Sequence, residues 1–97
     1  MTAESESNRI RRHVIYYGRV QGVCFRAMTH DLSRGCRVVG YVRNVRDGTV
    51  ELEAEGEPAE VERFLASVQR NFEDNIRNAD VTDIPPTGDE QDFRIRY

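Results

Sequence analysis

The chain has 97 residues, of which 38% are hydrophobic and 32% charged, and its net charge is −3. This length predicts one domain with one modest core, and no apolar run approaches the ~20 residues that a membrane span needs. All 14 basic residues are arginine, which excludes a Schiff-base lysine and a phosphate-binding loop of the GK[ST] type.

The chain opens with a polar, acidic stretch, MTAESESN, which lacks the basic and apolar segments of a signal peptide. We therefore expect residues 1–8 to be a flexible tail and residues 9–97 to form a single domain. Residues 9–17 end in the run VIYY and predict a first strand, which a loop over residues 18–24 follows.

A first helix is predicted after this loop, because apolar residues recur there at helical spacing. Phe25, Met28, Thr29 and Leu32 stand at positions i, i+3, i+4 and i+7. Gly35 is the expected end of this helix, since glycine commonly terminates helices in a left-handed conformation.

Residues 36–45 and 49–56 predict two strands joined by the turn Arg46-Asp47-Gly48. A three-residue turn with Gly48 in the left-handed region pairs residues 44 with 50, 42 with 52 and 40 with 54. This register keeps the apolar faces together, whereas a two-residue turn would reverse them. The opposite face of the later strand carries glutamates that we expect to be exposed, namely Glu51, Glu53 and Glu55.

A second helix begins near Pro58, and its apolar stripe runs through Val61, Phe64, Leu65, Val68 and Phe72. Residues 73–92 are poorly patterned and leave open a short strand at 81–84. Residues 93–97 predict the last strand.

The predicted order is βαββαβ, which indicates an α+β fold of the ferredoxin-like kind. In this α/β sandwich two helices pack on one face of an antiparallel sheet. The fold hosts many functions and does not by itself indicate one.

The stretch GRVQGVCFR, residues 18–26, is the least ordinary part of the sequence. Glycines at 18 and 22 allow a bend whose backbone N–H groups point into a concavity, and such nests ahead of a helix bind phosphate. An ordinary strand-to-helix connection is the alternative, and the glycines alone do not decide between the two.

Arg26 falls in the first turn of the predicted helix, where a cation is disfavoured by roughly 0.3–1 kcal/mol. Its side chain should lean back over the loop, because helical side chains point toward the N-terminus. An anion in the loop would make this position favourable, since a guanidinium can bridge two phosphate oxygens. A solvated surface arginine is the alternative.

Asn44 ends an otherwise apolar strand face, although asparagine is depleted in strands. The lengths of the first helix and the following strand return Asn44 to about the level of Arg26. Its amide could hold a water molecule with one donor and one acceptor. A turn-associated asparagine before Arg-Asp-Gly explains the residue equally well.

Cys24 and Cys36 flank the first helix and are too far apart for a disulfide, so we expect free thiols and a reducing, cytoplasmic location. The two cysteines and two histidines lack the spacing of a zinc site. We expect Cys24 to be a small packed side chain rather than a nucleophile, although folding could bring His13 or His30 close to it.

GRVQGVCFR followed by GYVRNVRDGTVELEAEG resembles the acylphosphatases. The matching core runs from about Val14 to Gly56, and residues 93–97, FRIRY, resemble the C-terminal end of that family. The resemblance implies a ferredoxin-like hydrolase that cleaves small acyl phosphates to carboxylate and inorganic phosphate, without metal or cofactor.

The resemblance also implies a role for each matching residue. Arg26 would bind phosphate and Asn44 would orient the attacking water. Val45 stands where the family has threonine, so it cannot make a side-chain hydrogen bond there. The backbone that would cradle the phosphate belongs to Val20, Gln21, Gly22, Val23 and Cys24.

Two functions of other classes remain open, an RNA-binding module and a domain that binds a small anion without turnover. RNA-recognition domains of this fold need aromatic and basic residues on the central strands, where this chain has glutamates. Residues 18–48 carry a charge of +4 and the remainder −7, which suits a small anion better than a long polyanion. We expect a monomer whose partners are an acyl phosphate and inorganic phosphate, with no nucleic acid or membrane.

Overall fold

The computed structural model describes residues 8–97, so the tail expected over residues 1–8 lies, apart from Asn8, outside the described residues. No helix of the described part is long and apolar enough to cross a membrane. The elements in chain order are β1 (Ile10–Gly18), α1 (Phe25–Ser33), β2 (Val38–Asn44), β3 (Val50–Gly56), α2 (Pro58–Asn71), β4 (Ile76–Ile84) and β5 (Phe93–Arg96).

The strands form one sheet in the order β4-β1-β3-β2-β5, and the helices pack on one of its faces. This is the α+β, ferredoxin-like architecture that the sequence predicts. The sheet is mixed rather than wholly antiparallel, because β5 runs parallel to β2 while the other neighbours are antiparallel. We call the face without helices the open face.

The strand that the sequence left open at 81–84 is longer in the structure than expected. The fourth strand of the fold is β4, which has nine residues instead of the four at 81–84. The last strand predicted over residues 93–97 is confirmed as β5, which covers Phe93–Arg96 and forms the other edge of the sheet. Most side chains of β4 are exposed, because it is an edge strand, and it therefore lacks the alternating apolar pattern from which a strand is predicted.

The glycine expected in the hairpin turn and the glycine expected to end the first helix behave differently. Gly48 has a φ of 95°, and the hairpin has the predicted register, with Asn44 opposite Val50. Gly35 does follow the end of α1, whose last residue is Ser33 and whose C-cap is Arg34, but it lacks the expected positive φ. The N–H of Gly35 donates to the carbonyl of Leu32, so this helix ends in a tight turn that needs no left-handed residue.

The core fills the space between the sheet and the two helices. Phe25, at the start of α1, packs between Tyr16 and Phe72, with ring centroids 5.2 and 4.4 Å away. Burying a phenylalanine contributes about 1.5–3 kcal/mol, so this contact fixes where α1 begins. Other fully buried residues include Val14, Val20, Val42, Val50, Leu52, Ala54, Val61, Phe64 and Val68.

The open face is not the exposed row of glutamates that the sequence predicts. Glu55 is only 1% exposed, and it accepts hydrogen bonds from the Arg11 guanidinium at 2.9 Å and from the N–H groups of Thr87 and Gly88 at 2.9 and 3.1 Å. The expectation was wrong for Glu55 because the connection between β4 and β5 packs against this face. Glu51 and Glu53 are also not exposed as expected, since their side chains are only 15% and 17% exposed.

Arg11 is the centre of an ion-pair network on the open face. Its guanidinium also donates to Glu53 at 2.6 Å and to Glu90 at 2.7 Å, and its side chain is almost fully buried. Burial alone would raise the pKa of Glu55, but the N–H of Thr87 and the Arg11 guanidinium outweigh it and lower that pKa to about 2. The network therefore stabilises the charged form of Glu55.

Replacing Glu55 with glutamine should lower the free energy of unfolding by about 1–3 kcal/mol near neutral pH, because its donors lose a charged acceptor. The pKa of Glu55 is about 2 in the folded protein, against 4.5 for an unperturbed glutamate. Its contribution to stability is therefore present above pH 4.5 and should be lost as the pH falls toward 2. Urea unfolding across this range measures the effect.

Glu73→Gln is the matched control, because Glu73 is exposed. This variant should stay close to the wild-type protein at every pH. The account of Glu55 would be contradicted if the stability gap between the wild type and Glu55→Gln did not narrow in acid.

Candidate active site

The loop that joins β1 to α1, residues 18–24, is held to its surroundings at several points. A side chain at Gly18 would meet the carbonyl oxygen of Asn75 at 2.4 Å, so only glycine fits against β4. The N–H of Arg19 donates to that same carbonyl at 2.8 Å. Val20 is fully buried and Val23 packs against the core. The path of the loop is therefore fixed by packing.

Gln21 ties the same loop to the turn between β2 and β3. Its side-chain nitrogen donates to the carbonyl oxygens of Val45 at 2.7 Å and of Thr49 at 2.8 Å. These carbonyls flank the turn that directly follows Asn44, so the loop and the end of β2 are linked by side-chain hydrogen bonds.

The backbone of the loop contains two residues in the left-handed region, a feature that it shares with anion-binding nests. Gly22 and Cys24 have φ angles of 76° and 62°, and left-handed residues in such a bend turn neighbouring N–H groups to one side. Within residues 8–97, the N–H groups of residues 20–24 donate to no protein acceptor. Cys24 caps α1 without a side-chain hydrogen bond, so the N–H groups of the first helical turn also remain available.

Arg26 is the second residue of α1 and lies half-buried beside this loop. The first turn of the helix contains no acidic residue, and the guanidinium carbon lies 4.9 Å from the centroid of the Tyr97 ring. Among the residues that the structure describes, Arg26 forms no ion pair. Within residues 8–97, five other arginines also form no ion pair, and all of them are exposed: Arg19, Arg37, Arg46, Arg70 and Arg77.

A cavity of about 170 Å³ lies between the loop, the first turn of α1, the end of β2 and the end of the chain. Gln21 and Val23 do not line it. The sequence-selected residues that the cavity brings together are Val20, Gly22, Cys24, Arg26 and Asn44.

Asn44 stands opposite the loop at the last position of β2 and is half-buried. Its side-chain amide makes no hydrogen bond within the described part of the chain, although Gln21 bonds the turn directly after it. An amide without a protein partner can both donate to and accept from a small molecule in the cavity.

Four further residues line the cavity that sequence reasoning did not select: Phe25, Ala27, Ile95 and Tyr97. Ile95 reaches the cavity because β5 pairs in parallel with β2, placing it beside Val42. Local sequence pattern does not show such a long-range pairing. The signal available was the alternation of FRIRY, which puts Ile95 and Tyr97 on the same side of a strand.

The structure offers Cys24 no histidine partner. His13 lies on the open face, where its Nε2 is 2.7 Å from a Glu51 oxygen. Across residues 8–97, the Cys24 thiol bonds to neither His13 nor His30, so no base is placed to activate it. Cys24 is also exposed rather than packed as we expected, because its backbone caps the helix at the cavity wall.

Among the described residues, one cluster of possible metal ligands has no signal in the spacing of the cysteines and histidines. His13, Glu51 and Glu53 meet across β1 and β3, with ligand atoms within 4.8 Å of one another. Glu51 also accepts from Arg43, and Glu53 accepts from Arg11. The cluster belongs to the ion-pair network of the open face and does not line the cavity.

Comparison with known proteins gives consistent matches. The model of the Acylphosphatase family matches residues 12–95. The acylphosphatase of Synechococcus sp. (strain JA-2-3B'a(2-13)) is 45% identical over 83 residues, which are 84% of this chain and 88% of the relative. The acylphosphatase of Geobacillus thermodenitrificans is 40% identical over 90 residues, which are 90% of this chain and 94% of the relative. The structure of an acylphosphatase from Coxiella burnetii superposes with a TM-score of 0.82 at 30% identity, covering 99% of this chain and all of the other.

Cys24→Gly should stabilise the protein by up to about 1 kcal/mol, because a left-handed conformation costs a non-glycine residue roughly 1–2 kcal/mol and glycine loses more entropy on folding. Cys24→Ser should leave stability nearly unchanged, since it retains the side-chain atom that causes the strain. Urea unfolding of both variants measures the difference. A glycine variant that is less stable than the serine variant would show that the backbone at Cys24 is not strained.

Proposed function

The chain belongs to the acylphosphatase family and is a hydrolase of acyl phosphates, and from that premise we propose that its cavity carries out the hydrolysis. In this proposal the loop backbone and Arg26 hold the phosphoryl group, while Asn44 orients the attacking water. The substrates are small acyl phosphates, and the products are a carboxylate and inorganic phosphate.

The observation that carries the proposal is the half-buried guanidinium of Arg26, which lacks a carboxylate partner among residues 8–97 and lies beside backbone donors without acceptors. Together with the N-terminus of α1, these groups create a positive potential that no ion pair within residues 8–97 offsets. A phosphoryl group has three oxygens that accept charge-assisted hydrogen bonds, and Arg26 can bridge two of them. The small cavity suits a phosphoryl group better than a large ligand.

Phosphoryl transfer passes through a loose transition state in which negative charge spreads over the equatorial oxygens. Donors that are already fixed by packing stabilise this charge without reorganising. The loop meets this requirement, because Val20 is buried and Gln21 is hydrogen-bonded to the neighbouring turn. Since Arg26 and the N–H groups supply the positive charge, the proposal requires no metal ion.

Asn44 is the group proposed to place the water for in-line attack. The water oxygen bonds to phosphorus while the bond from phosphorus to the acyl oxygen breaks, and the carboxylate leaves with the electron pair. One water proton stays on the attacking oxygen and the other passes to a phosphoryl oxygen, so the phosphate product is H₂PO₄⁻. A carboxylate is a good leaving group, and the cavity therefore needs no strong general acid.

The residues of the open face favour an RNA-binding function less than the cavity favours hydrolysis. The central strands β1 and β3 place Arg11, Glu53 and Glu55 there in mutual ion pairs. Paired arginines have little positive charge to offer a polyanion, and base stacking requires exposed aromatic side chains. Binding of a small anion without turnover would use the same cavity, so a turnover assay separates it from the proposed function.

The wild-type protein should hydrolyse acetyl phosphate well above the spontaneous rate and should hydrolyse p-nitrophenyl phosphate, a phosphate monoester, far more slowly. The physical reason is that the monoester has a poorer leaving group and the cavity supplies no acid to protonate it. Phosphate release, measured with and without EDTA, should be equal. Turnover that EDTA abolishes and a divalent metal restores would contradict the proposed mechanism.

Substitution of Arg26 and of Asn44 should have different effects on kcat and on phosphate affinity. Arg26→Ala should lower kcat by about 1000-fold and weaken the binding of inorganic phosphate by at least about 10-fold, because a charged donor is lost from both states. Asn44→Ala should lower kcat by about 100-fold while phosphate affinity stays within about threefold, since positioning of water acts only in the reaction. Steady-state kinetics with phosphate as competitive inhibitor measures both.

Arg70→Ala and Asn78→Ala are matched controls, because both residues are exposed and lie outside the cavity. They should retain wild-type kinetics. Circular dichroism must show that all variants are folded. A folded Asn44→Ala variant with wild-type kcat would refute the role assigned to the amide.

A further inference from the structure

We propose that Gln21 is a positioning residue whose side chain sets the distance between the loop that holds phosphate and the Asn44 amide. This inference rests on the proposed function. It starts from the two hydrogen bonds of the Gln21 carboxamide, to the carbonyls of Val45 at 2.7 Å and Thr49 at 2.8 Å. Both partners are acceptors, so both N–H groups of the carboxamide are used.

The sheet does not join the two walls of the cavity directly. The loop follows β1, and Asn44 ends β2, but β3 lies between these strands. Small changes of twist in β3 therefore change the separation of the walls. The Gln21 side chain bridges this gap at the end of the sheet where the cavity lies.

The turn that Gln21 holds is itself rigid. The N–H of Val45 donates to the Thr49 carbonyl at 2.9 Å, and the N–H of Gly48 donates to the Val45 carbonyl at 3.1 Å. Thr49 is buried, and its N–H and hydroxyl both donate to Asp47 at 3.0 and 2.6 Å. A displacement of Gln21 is therefore transmitted to the turn as a whole, and Asn44 immediately precedes that turn.

Gln21 is also firmly placed within the loop. It stands between Val20, which is fully buried, and Gly22, which lines the cavity. Because the side chain points to the turn while the next residue faces the cavity, the loop and the Asn44 amide share one hydrogen-bonded frame.

The loss of this frame should affect the reaction more than binding. A misplacement of about 1 Å in a reacting group can lower a rate by about 100-fold. We therefore expect Gln21→Ala to lower kcat by about 10- to 100-fold. Phosphate affinity should stay within about threefold, because Arg26 and the loop N–H groups remain on one continuous segment.

A double-mutant cycle with Asn44→Ala tests the proposed coupling. If Gln21 acts by placing Asn44, Gln21→Ala should lower kcat by less than about twofold once Asn44 is alanine. Gln69→Ala is the control, because Gln69 is exposed on α2, and it should leave both backgrounds unchanged.

Gln21→Glu adds a readout that a purely structural role would not change. The ionised carboxylate cannot donate to the two carbonyls, whereas the protonated acid donates one hydrogen bond. The kcat of this variant, divided by that of the wild type, should therefore rise as the pH is lowered through the acidic range. Gln21→Glu retains the length of the side chain and carries the test if Gln21→Ala does not fold.

The results separate this inference from the proposed function. A wild-type protein that fails to hydrolyse acetyl phosphate would refute the proposed function. An active wild type with an impaired Asn44→Ala variant would support that function. The role proposed for Gln21 would then be overturned by any one of three results: unchanged kcat in Gln21→Ala, additive losses in the cycle, or a kcat ratio of Gln21→Glu that does not change with pH.

Discussion

An uncompensated cation in the first turn of α1 is the constraint on which the site depends. Helix dipoles disfavour a cation there by roughly 0.3–1 kcal/mol, and the described residues give Arg26 no carboxylate to offset this. Phe25 holds the helix start in place, because its ring is buried between Tyr16 and Phe72. Packing thus maintains a local electrostatic strain, which is typical of functional sites, and a bound anion would relieve it.

The buried ion pairs and the unpaired cation lie in different parts of the fold. On the open face, Arg11 and Glu55 are buried and mutually neutralised, so this face stabilises the sheet and the connection to β5. At the cavity, Arg26 keeps its charge unpaired within the described region, and the loop keeps free N–H donors. Stability and chemistry can therefore be altered separately, since the groups responsible for each do not share partners.

Features that follow from local sequence pattern could be predicted, whereas features that depend on long-range contacts could not. Alternation in β3 and the glycine at 48 predict the hairpin register, and chain lengths predict that Asn44 returns to the level of Arg26. The family resemblance predicts acyl phosphate hydrolysis, while the roles of single residues stay predictions. Burial of Glu55 was missed, because it depends on a segment more than thirty residues later in the chain.

The side chain of Gln21 was missed for the same reason, since its partners lie in the turn that follows Asn44. Most of β4 escaped prediction because an exposed edge strand has no apolar face to reveal it. The burial of Glu55 and the bonds of Gln21 depend on contacts between distant segments, whereas the hairpin register and the first helix depend on a period, a turn or a length that neighbouring residues determine.

Titration of the ¹⁵N-labelled protein with inorganic phosphate, followed through the backbone amide resonances, tests the central claim most directly. The account predicts saturable shifts of the N–H resonances of residues 20–24, and weaker saturation in Arg26→Ala. Hydrogen bonding to an anion moves amide protons downfield, so the direction is also fixed. Absence of saturable shifts in this loop, or shifts centred on other arginines such as Arg34 and Arg37, would contradict the assignment of the cavity as the phosphate site.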